Sequence, residues 1–99
     1  MEIEKGDIVL SVNGRDKGKP FYVLATEDMY LFLVDGKGRK IEQPKRKKTK
    51  HCSFLCREQS RLAEKLRADE KVLNSELRRA IAAYKQGKNV EKDEEIEGG

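Results

Sequence analysis

The spacing of the apolar residues changes near the middle of this chain, from a period of two to a period near 3.6. Before residue 56 the apolar residues fall in short runs, at 8–12, 21–25 and 29–34, separated by Gly, Asn and Asp. Runs of this length and spacing predict β-strands. After residue 56 they recur three and four residues apart, which predicts amphipathic helices. The expected plan is therefore one small sheet followed by helices.

Turn signals divide the first half into five predicted strands. Asn13-Gly14 ends the first run, and Asp35-Gly36 is a strong hairpin signal after the run 29–34. That third run is the most apolar, and we expect a central strand buried on both faces. A fourth strand is predicted at Arg39–Glu42 and a fifth at His51–Leu55. Five strands in about 50 residues predict a small curled sheet, because closure or near-closure protects exposed strand edges.

Two helices are predicted in the second half. The first spans roughly Cys56–Ala68, and the second begins near Asn74, a suitable N-cap, and stops before Gly87. We expect their apolar stripes to dock on the sheet or on each other; the alternative is a groove-binding element for a protein partner. The stripe residues are Leu62, Ala63 and Leu66 in the first helix, and Leu73, Leu77, Ala80, Ile81 and Tyr84 in the second.

Charge is strongly segregated along the chain. Residues 36–50 contain eight basic residues and one acidic residue, a net charge of +7, whereas the last thirteen residues carry −3. The whole chain carries only +4, and 36% of its residues are hydrophobic, so any core is small. Clustered positive charge indicates a polyanionic partner, which could be RNA, DNA or an anionic membrane.

Several classes of protein are disfavoured. No stretch approaches the roughly 20 apolar residues that cross a bilayer, and the first residues lack the features of a secretory signal. Two cysteines are too few for a disulfide framework, so a cytoplasmic protein is expected. The cluster of His51, Cys52 and Cys56 lacks a fourth zinc ligand and an orienting partner for catalysis. Without paired carboxylates or a P-loop, we expect no enzyme, no metal and no cofactor.

The segment Lys5–Leu24 has the order of a KOW motif. Gly6-Asp7 precedes an apolar strand, the loop Gly14–Lys19 reads Gly-Arg-Asp-Lys-Gly-Lys, and a second apolar strand follows. The whole chain resembles the short bacterial KOW-domain proteins related to large-subunit ribosomal proteins of the eukaryotic and archaeal type. The resemblance implies an SH3-like barrel whose first hairpin loop and neighbouring surface contact RNA. One departure is Pro20, where many members have a small residue.

The residues of this loop support the same interpretation independently. Gly14 and Gly18 let the backbone approach a phosphate, while Arg15, Lys17 and Lys19 supply cations; Asp16 is expected to organise the loop. The basic stretch that follows is a solvated loop on the simplest interpretation and a second RNA contact on ours. The predicted RNA-binding residues are Arg15, Lys17, Lys19, Lys37, Arg39, Lys40, Lys45, Arg46, Lys47, Lys48 and Lys50, and the structural residues of the motif are Gly6, Asp7, Gly14 and Gly18.

The aromatic residues are expected to fill the core rather than to stack on bases. The chain has few large apolar residues, so Phe32 and one of Phe21 or Tyr22 should be buried. Base stacking by these residues and Tyr30 is the alternative. Arginines on the helices could extend the RNA footprint: Arg57, Arg61, Arg78 and Arg79.

These observations predict a mainly β protein. An SH3-like barrel of about five strands occupies residues 1–55, a helical hairpin 56–87 and a disordered acidic tail 88–99. The predicted function is non-enzymatic binding of RNA, by resemblance ribosomal RNA, in a ribosome-associated protein that is monomeric when free and has no membrane partner. Two alternatives are a NusG-like transcription or translation adaptor that binds a protein through the barrel or the helices, and an architectural DNA-binding protein.

Overall fold

The computed structural model describes residues 2–87, so the predicted acidic tail at 88–99 lies outside the described residues. Five strands form one antiparallel sheet in the order β4-β3-β2-β1-β5, and two helices follow. The predicted plan of five strands followed by two helices is confirmed. The elements are β1 (Ile8–Ser11), β2 (Pro20–Glu27), β3 (Tyr30–Val34), β4 (Lys45–Lys48), a 3-10 turn (Thr49–His51), β5 (Cys52–Cys56), α1 (Arg61–Arg67) and α2 (Asn74–Lys85).

The fourth strand lies further along the chain than predicted. Arg39–Glu42 forms turns, and Lys45–Lys48 pairs with β3 instead, with Lys47 opposite Leu31. The prediction of a strand at Arg39–Glu42 was therefore wrong. A run of four cations has no apolar alternation that would predict a strand, and most of the basic stretch, whose simplest interpretation was a solvated loop, is β4.

Side chains use the backbone donors that a strand at Arg39–Glu42 would need. The Asp35 carboxylate accepts hydrogen bonds from the backbone N–H of Lys37 at 2.9 Å and of Arg39 at 2.8 Å. The backbone N–H of Ile41 donates to the Asn74 side-chain oxygen at 2.9 Å. These bonds stabilise turns in competition with a ladder, as short polar side chains commonly do.

The sheet has a core on each face. Adjacent residues such as Ile8 and Val9, or Val34 and Leu33, point to opposite faces, and all four are fully buried. The helix-side core joins the sheet to both helices, which confirms that the helical stripes dock on the sheet. It contains Ile8, Tyr22, Val34, Leu62, Leu66, Val72, Leu77, Ala80 and Ile81. The opposite core contains Val9, Phe21, Val23, Leu31 and Leu33.

Three expectations about buried residues need correction. The central strand is β2, because β3 lies second from the edge. Phe32 is only half-buried and belongs to neither core, so the expectation that it fills the core was wrong, whereas Phe21 and Tyr22 are both buried. Leu73 is 53% exposed, and Val72 takes its place against the sheet.

The sheet is curled but open. Its two edge strands, β4 and β5, are consecutive in the chain and are joined only by the turn Thr49–His51, which brings their adjoining ends close together. Irregular pairing at Ile8/Val9 and at Val23/Ala25 bends β1 and β2. The curvature lets the core containing Val9 and Leu33 be buried without a helix on that face.

Both helices differ slightly from the predicted bounds. Residue 56 ends β5, and α1 begins after Ser60, whose hydroxyl accepts a hydrogen bond from the backbone N–H of Ala63 at 3.1 Å. Asn74 is the first residue of α2 rather than its N-cap; the Glu76 carboxylate instead accepts a bond from the backbone N–H of Leu73 at 2.8 Å. Within residues 2–87, neither helix has the length and apolar character needed to span a bilayer.

Candidate nucleic-acid interface

The β1–β2 loop is held by its own backbone. The N–H of Gly18 donates to the carbonyl of Ser11 at 2.7 Å, and the N–H of Ser11 donates to the carbonyl of Lys19 at 3.0 Å. Gly14 and Gly18 have φ of 78° and 85°, the left-handed region that favours glycine. The loop therefore has a defined shape, and the side chains of Arg15, Lys17 and Lys19 are exposed on it.

Asp16 joins this loop to the β3–β4 connection. Asp16 as a whole is 8% exposed, and its carboxylate accepts a hydrogen bond from Arg39 Nη2 at 2.9 Å. Partial burial opposes ionisation of Asp16, but the hydrogen bond and charge of Arg39, with the charges of Lys19 and Lys45, outweigh it and hold the pKa of the carboxyl below its ordinary value. The ion pair therefore holds the β1–β2 loop beside the β3–β4 connection, although the two are distant in sequence.

The β3–β4 connection is also held against α2. The carbonyl of Gly36 accepts a hydrogen bond from Arg78 Nη1 at 3.1 Å. Gly36 has φ of 78°, and a Cβ there would collide with the carbonyl of Asn74 and lie 2.8 Å from the backbone nitrogen of Arg78. Lys37 and Lys40 are exposed on this connection. Its backbone therefore lies between the β1–β2 loop and the first turn of α2.

These exposed cations form what we call the loop surface. The Asp16–Arg39 pair places the cations of the first loop near those of the second, and Lys45 is close enough to influence Asp16 electrostatically. Arg39 is itself half-buried and bonded to Asp16, so it positions the loops rather than standing free. The loop surface consists of Arg15, Lys17, Lys19, Lys37 and Lys40.

Lys47 is placed differently from the other predicted contacts. It is 9% exposed, and its ammonium donates a hydrogen bond to the carbonyl of Asn13 at 2.8 Å. Burying a charge is costly unless it is hydrogen-bonded, and the aliphatic stem can cover apolar neighbours such as Leu31, its cross-strand partner. Lys47 thus ties β4 to the start of the β1–β2 loop.

The remaining cations of β4 and the turn lie away from the loop surface. Arg46 has its guanidinium 3.6 Å from the Tyr30 ring centroid and its Nε 3.6 Å from a carboxylate oxygen of Glu27. Lys48 and Lys50 are exposed beside Met29, at the opposite end of β4 from Lys45. The predicted basic face is therefore divided into two regions.

The Gly-Asp pair of the motif lies inside the structure. Asp7 is fully buried, and its carboxylate accepts bonds from the backbone N–H of Glu4 at 2.7 Å and from Arg57 at 2.9 and 3.0 Å. The hydrogen bond to Asp7 raises the pKa of Arg57. Gly6 packs against the carbonyl of Ala63 in α1. Arg57, which sequence alone suggested as an RNA contact, is engaged by a carboxylate 50 residues away.

The two cysteines lie at opposite ends of one strand. Cys52 and Cys56 are free thiols at the two ends of β5, and burial raises the pKa of both. Residues four apart on a strand are separated by about 13 Å. No group of three potential metal ligands is gathered within residues 2–87.

The chain matches no protein-family model and no curated protein. The residues of the candidate interface, and the resemblance of Lys5–Leu24 to the KOW motif, are what point to a function.

Proposed function

We propose that this chain is a non-enzymatic RNA-binding protein of the KOW type, which holds the phosphate backbone of structured RNA with the loop surface. By resemblance, ribosomal RNA is the ligand and the ribosome the place of action. The observation that carries the proposal is the Asp16–Arg39 ion pair, because it sets the exposed cations of two loops side by side.

An SH3-like barrel is the fold that we propose for the five-stranded part of the chain, predicted at residues 1–55 and ending with β5 at Cys56. Five short antiparallel strands, two bulged strands and a three-residue turn between the edge strands support it. The fully buried core around Val9, Phe21 and Leu33 would be the barrel interior. In this arrangement the β1–β2 loop stands on the rim, where it is accessible to a large ligand.

The chemistry of the loop surface suits phosphate. Arg15 presents a planar fork of donors that fits a phosphate in bidentate fashion, while Lys17 and Lys19 act as point charges. The backbone of the loop is fixed by internal hydrogen bonds, so little ordering entropy is lost on binding. Phosphate contacts carry no sequence information, and A-form RNA is recognised mainly by shape, so we propose low sequence specificity.

The test is the affinity of the full chain for a structured RNA, with a triple variant at Arg15→Ala, Lys17→Ala and Lys19→Ala. We expect the triple variant to bind at least tenfold more weakly, because three phosphate contacts are lost. The matched control removes the same charge from exposed helix and linker positions, with Lys71→Ala, Arg79→Ala and Lys85→Ala. Equal losses in both variants would contradict a specific role for the loop.

Competition separates the alternatives. If duplex DNA displaces a labelled RNA as effectively as unlabelled RNA does, the architectural DNA-binding alternative is favoured. A protein partner that stays bound after nuclease treatment and high salt, with no measurable RNA affinity of the chain, would favour the adaptor.

A further inference from the structure

Two aromatic side chains of β3 are left outside both cores. Tyr30 and Phe32 alternate with the buried Leu31 and Leu33, so they lie on the same face as Val34. Val34 is fully buried against the helices, whereas Tyr30 and Phe32 are half-buried and belong to neither core. The helices thus cover this face of β3 at Val34 and leave Tyr30 and Phe32, nearer the start of the strand, partly open to solvent.

Two cations stand beside these rings. Phe32 is paired in register with Arg46, and Tyr30 with Lys48, and paired residues share a face of the sheet. Arg46 and Lys48 are both exposed. We call Tyr30, Phe32, Arg46 and Lys48 the aromatic platform.

Arg46 extends the platform from Tyr30 towards solvent. Its guanidinium carbon lies 3.6 Å from the Tyr30 ring centroid, and its side chain remains 54% exposed. Glu27, whose side chain is 56% exposed, has a carboxylate oxygen 3.6 Å from Arg46 Nε, beyond hydrogen-bond distance. A planar cation stacked on a ring, with its outer side accessible, presents a flat surface of positive charge.

We propose that the aromatic platform binds unpaired bases of the RNA whose backbone the loop surface holds. Unpaired bases stack on aromatic rings and on guanidinium planes, and the phosphates that join them require nearby cations such as Lys48. In a blunt RNA duplex the base faces are stacked inside the helix, so only the phosphates can contact the platform, through its cations. This inference rests on the proposed function and adds a preference for RNA with exposed single-stranded bases.

The first test compares two ligands and two variants at one position. The ligands are a short oligouridine and a blunt RNA duplex, and the variants are Tyr30→Leu and Tyr30→Phe. We expect Tyr30→Leu to weaken oligouridine binding by about fivefold or more, since the ring on which the Arg46 guanidinium stacks is lost, and to leave duplex binding within about twofold. Tyr30→Phe keeps the ring and should bind oligouridine within about twofold of the wild type.

A second measurement reports on the platform directly. The chain contains no tryptophan, so Phe32→Trp introduces a single indole at the platform. Stacking of a base on the indole should quench its fluorescence with oligouridine and leave it nearly unchanged with duplex. Glu27→Gln, which removes the anion beside Arg46, should strengthen oligouridine binding by about twofold to fivefold.

The two proposals fail in different ways. If the wild type binds neither ligand in dilute buffer, the proposed function falls and this inference with it. If the wild type binds RNA through the loop surface, but Tyr30→Leu weakens both ligands equally or the indole responds to both alike, only the platform is refuted. Thermal unfolding of each variant confirms that it is folded; an unfolded Tyr30→Leu leaves the decision to the Phe32→Trp response.

Discussion

The carboxylate of Asp16 lies 2.9 Å from the guanidinium of Arg39, 23 residues further along the chain. This ion pair joins the β1–β2 loop to the β3–β4 connection. The sequence predicted that Asp16 organises its own loop and that Arg39 contacts RNA; the two residues instead bind each other, and the Asp16 side chain is only 10% exposed. The pair determines where the cations around it lie.

Replacing Asp16 with alanine should weaken RNA binding although it removes a negative charge from a basic region. A purely electrostatic account predicts the opposite, because net positive charge rises. We expect a loss of about 1–2 kcal/mol in the free energy of unfolding, since a charged hydrogen bond is lost at a partly exposed site. Urea denaturation and RNA titration measure the two effects. The charge-matched control is Glu70→Ala, which changes an exposed residue and should cost less than about 0.5 kcal/mol.

Alanine substitution should destabilise the fold at one of two neighbouring lysines of β4 and leave its stability nearly unchanged at the other. Lys47→Ala removes a nearly buried ammonium from the carbonyl of Asn13 and uncovers part of the core, so we expect a loss of about 1–3 kcal/mol in the free energy of unfolding. Lys48→Ala changes an exposed residue and should stay within about 0.5 kcal/mol. Similar values for both variants, measured by urea denaturation, would contradict the burial of Lys47 and its hydrogen bond to Asn13.

Two glycines of the β3–β4 connection provide a similar comparison. Gly36→Ala puts a Cβ against the backbone of Asn74 and Arg78 at a φ of 78°, and should destabilise the fold by about 2 kcal/mol or more. Gly38→Ala meets nothing within 4 Å and should be nearly neutral. Thermal unfolding of the two variants decides the matter; a neutral Gly36→Ala would refute the close approach of this connection to α2.

The contribution of Asp16 should depend on pH. Its pKa in the folded chain is below the ordinary value of 3.8, so ionisation favours the folded state. The stabilisation is fully present above the unfolded pKa and is lost as pH falls through the lower folded pKa. The difference in unfolding free energy between wild type and Asp16→Asn should therefore be constant near neutrality and shrink below about pH 4. If the difference in unfolding free energy grew on acidification, the lowered pKa of Asp16 in the folded chain would be contradicted.

Local features of the fold could be predicted from the sequence, because they follow from neighbouring residues. The helical spacing of Leu62, Leu66 and Leu77 identified side chains that pack on the sheet. Gly87, with φ of 77°, follows the end of α2 as its type suggests. Each of these features is set by residues that lie within a few positions of one another in the sequence.

Features that depend on distant partners could not be predicted. Lys47 looks like its neighbours in the sequence, and only the curl of the sheet brings it to Asn13. Phe32 is as apolar as Phe21, but the helices cover Val34 and leave Phe32 half-exposed. No local pattern could have indicated that Asp16 pairs with Arg39, or that the basic stretch splits into two regions.

The salt dependence of RNA affinity reports how many phosphates the β1–β2 loop neutralises. The slope of log K against log salt concentration reports the number of phosphates neutralised, with about 0.7–0.9 units for each contact. If Arg15, Lys17 and Lys19 each neutralise a phosphate, their triple alanine variant should bind a structured RNA with a slope shallower by about 2–3 units. The control at Lys71, Arg79 and Lys85 should keep the wild-type slope. An unchanged slope in the loop variant would contradict the account.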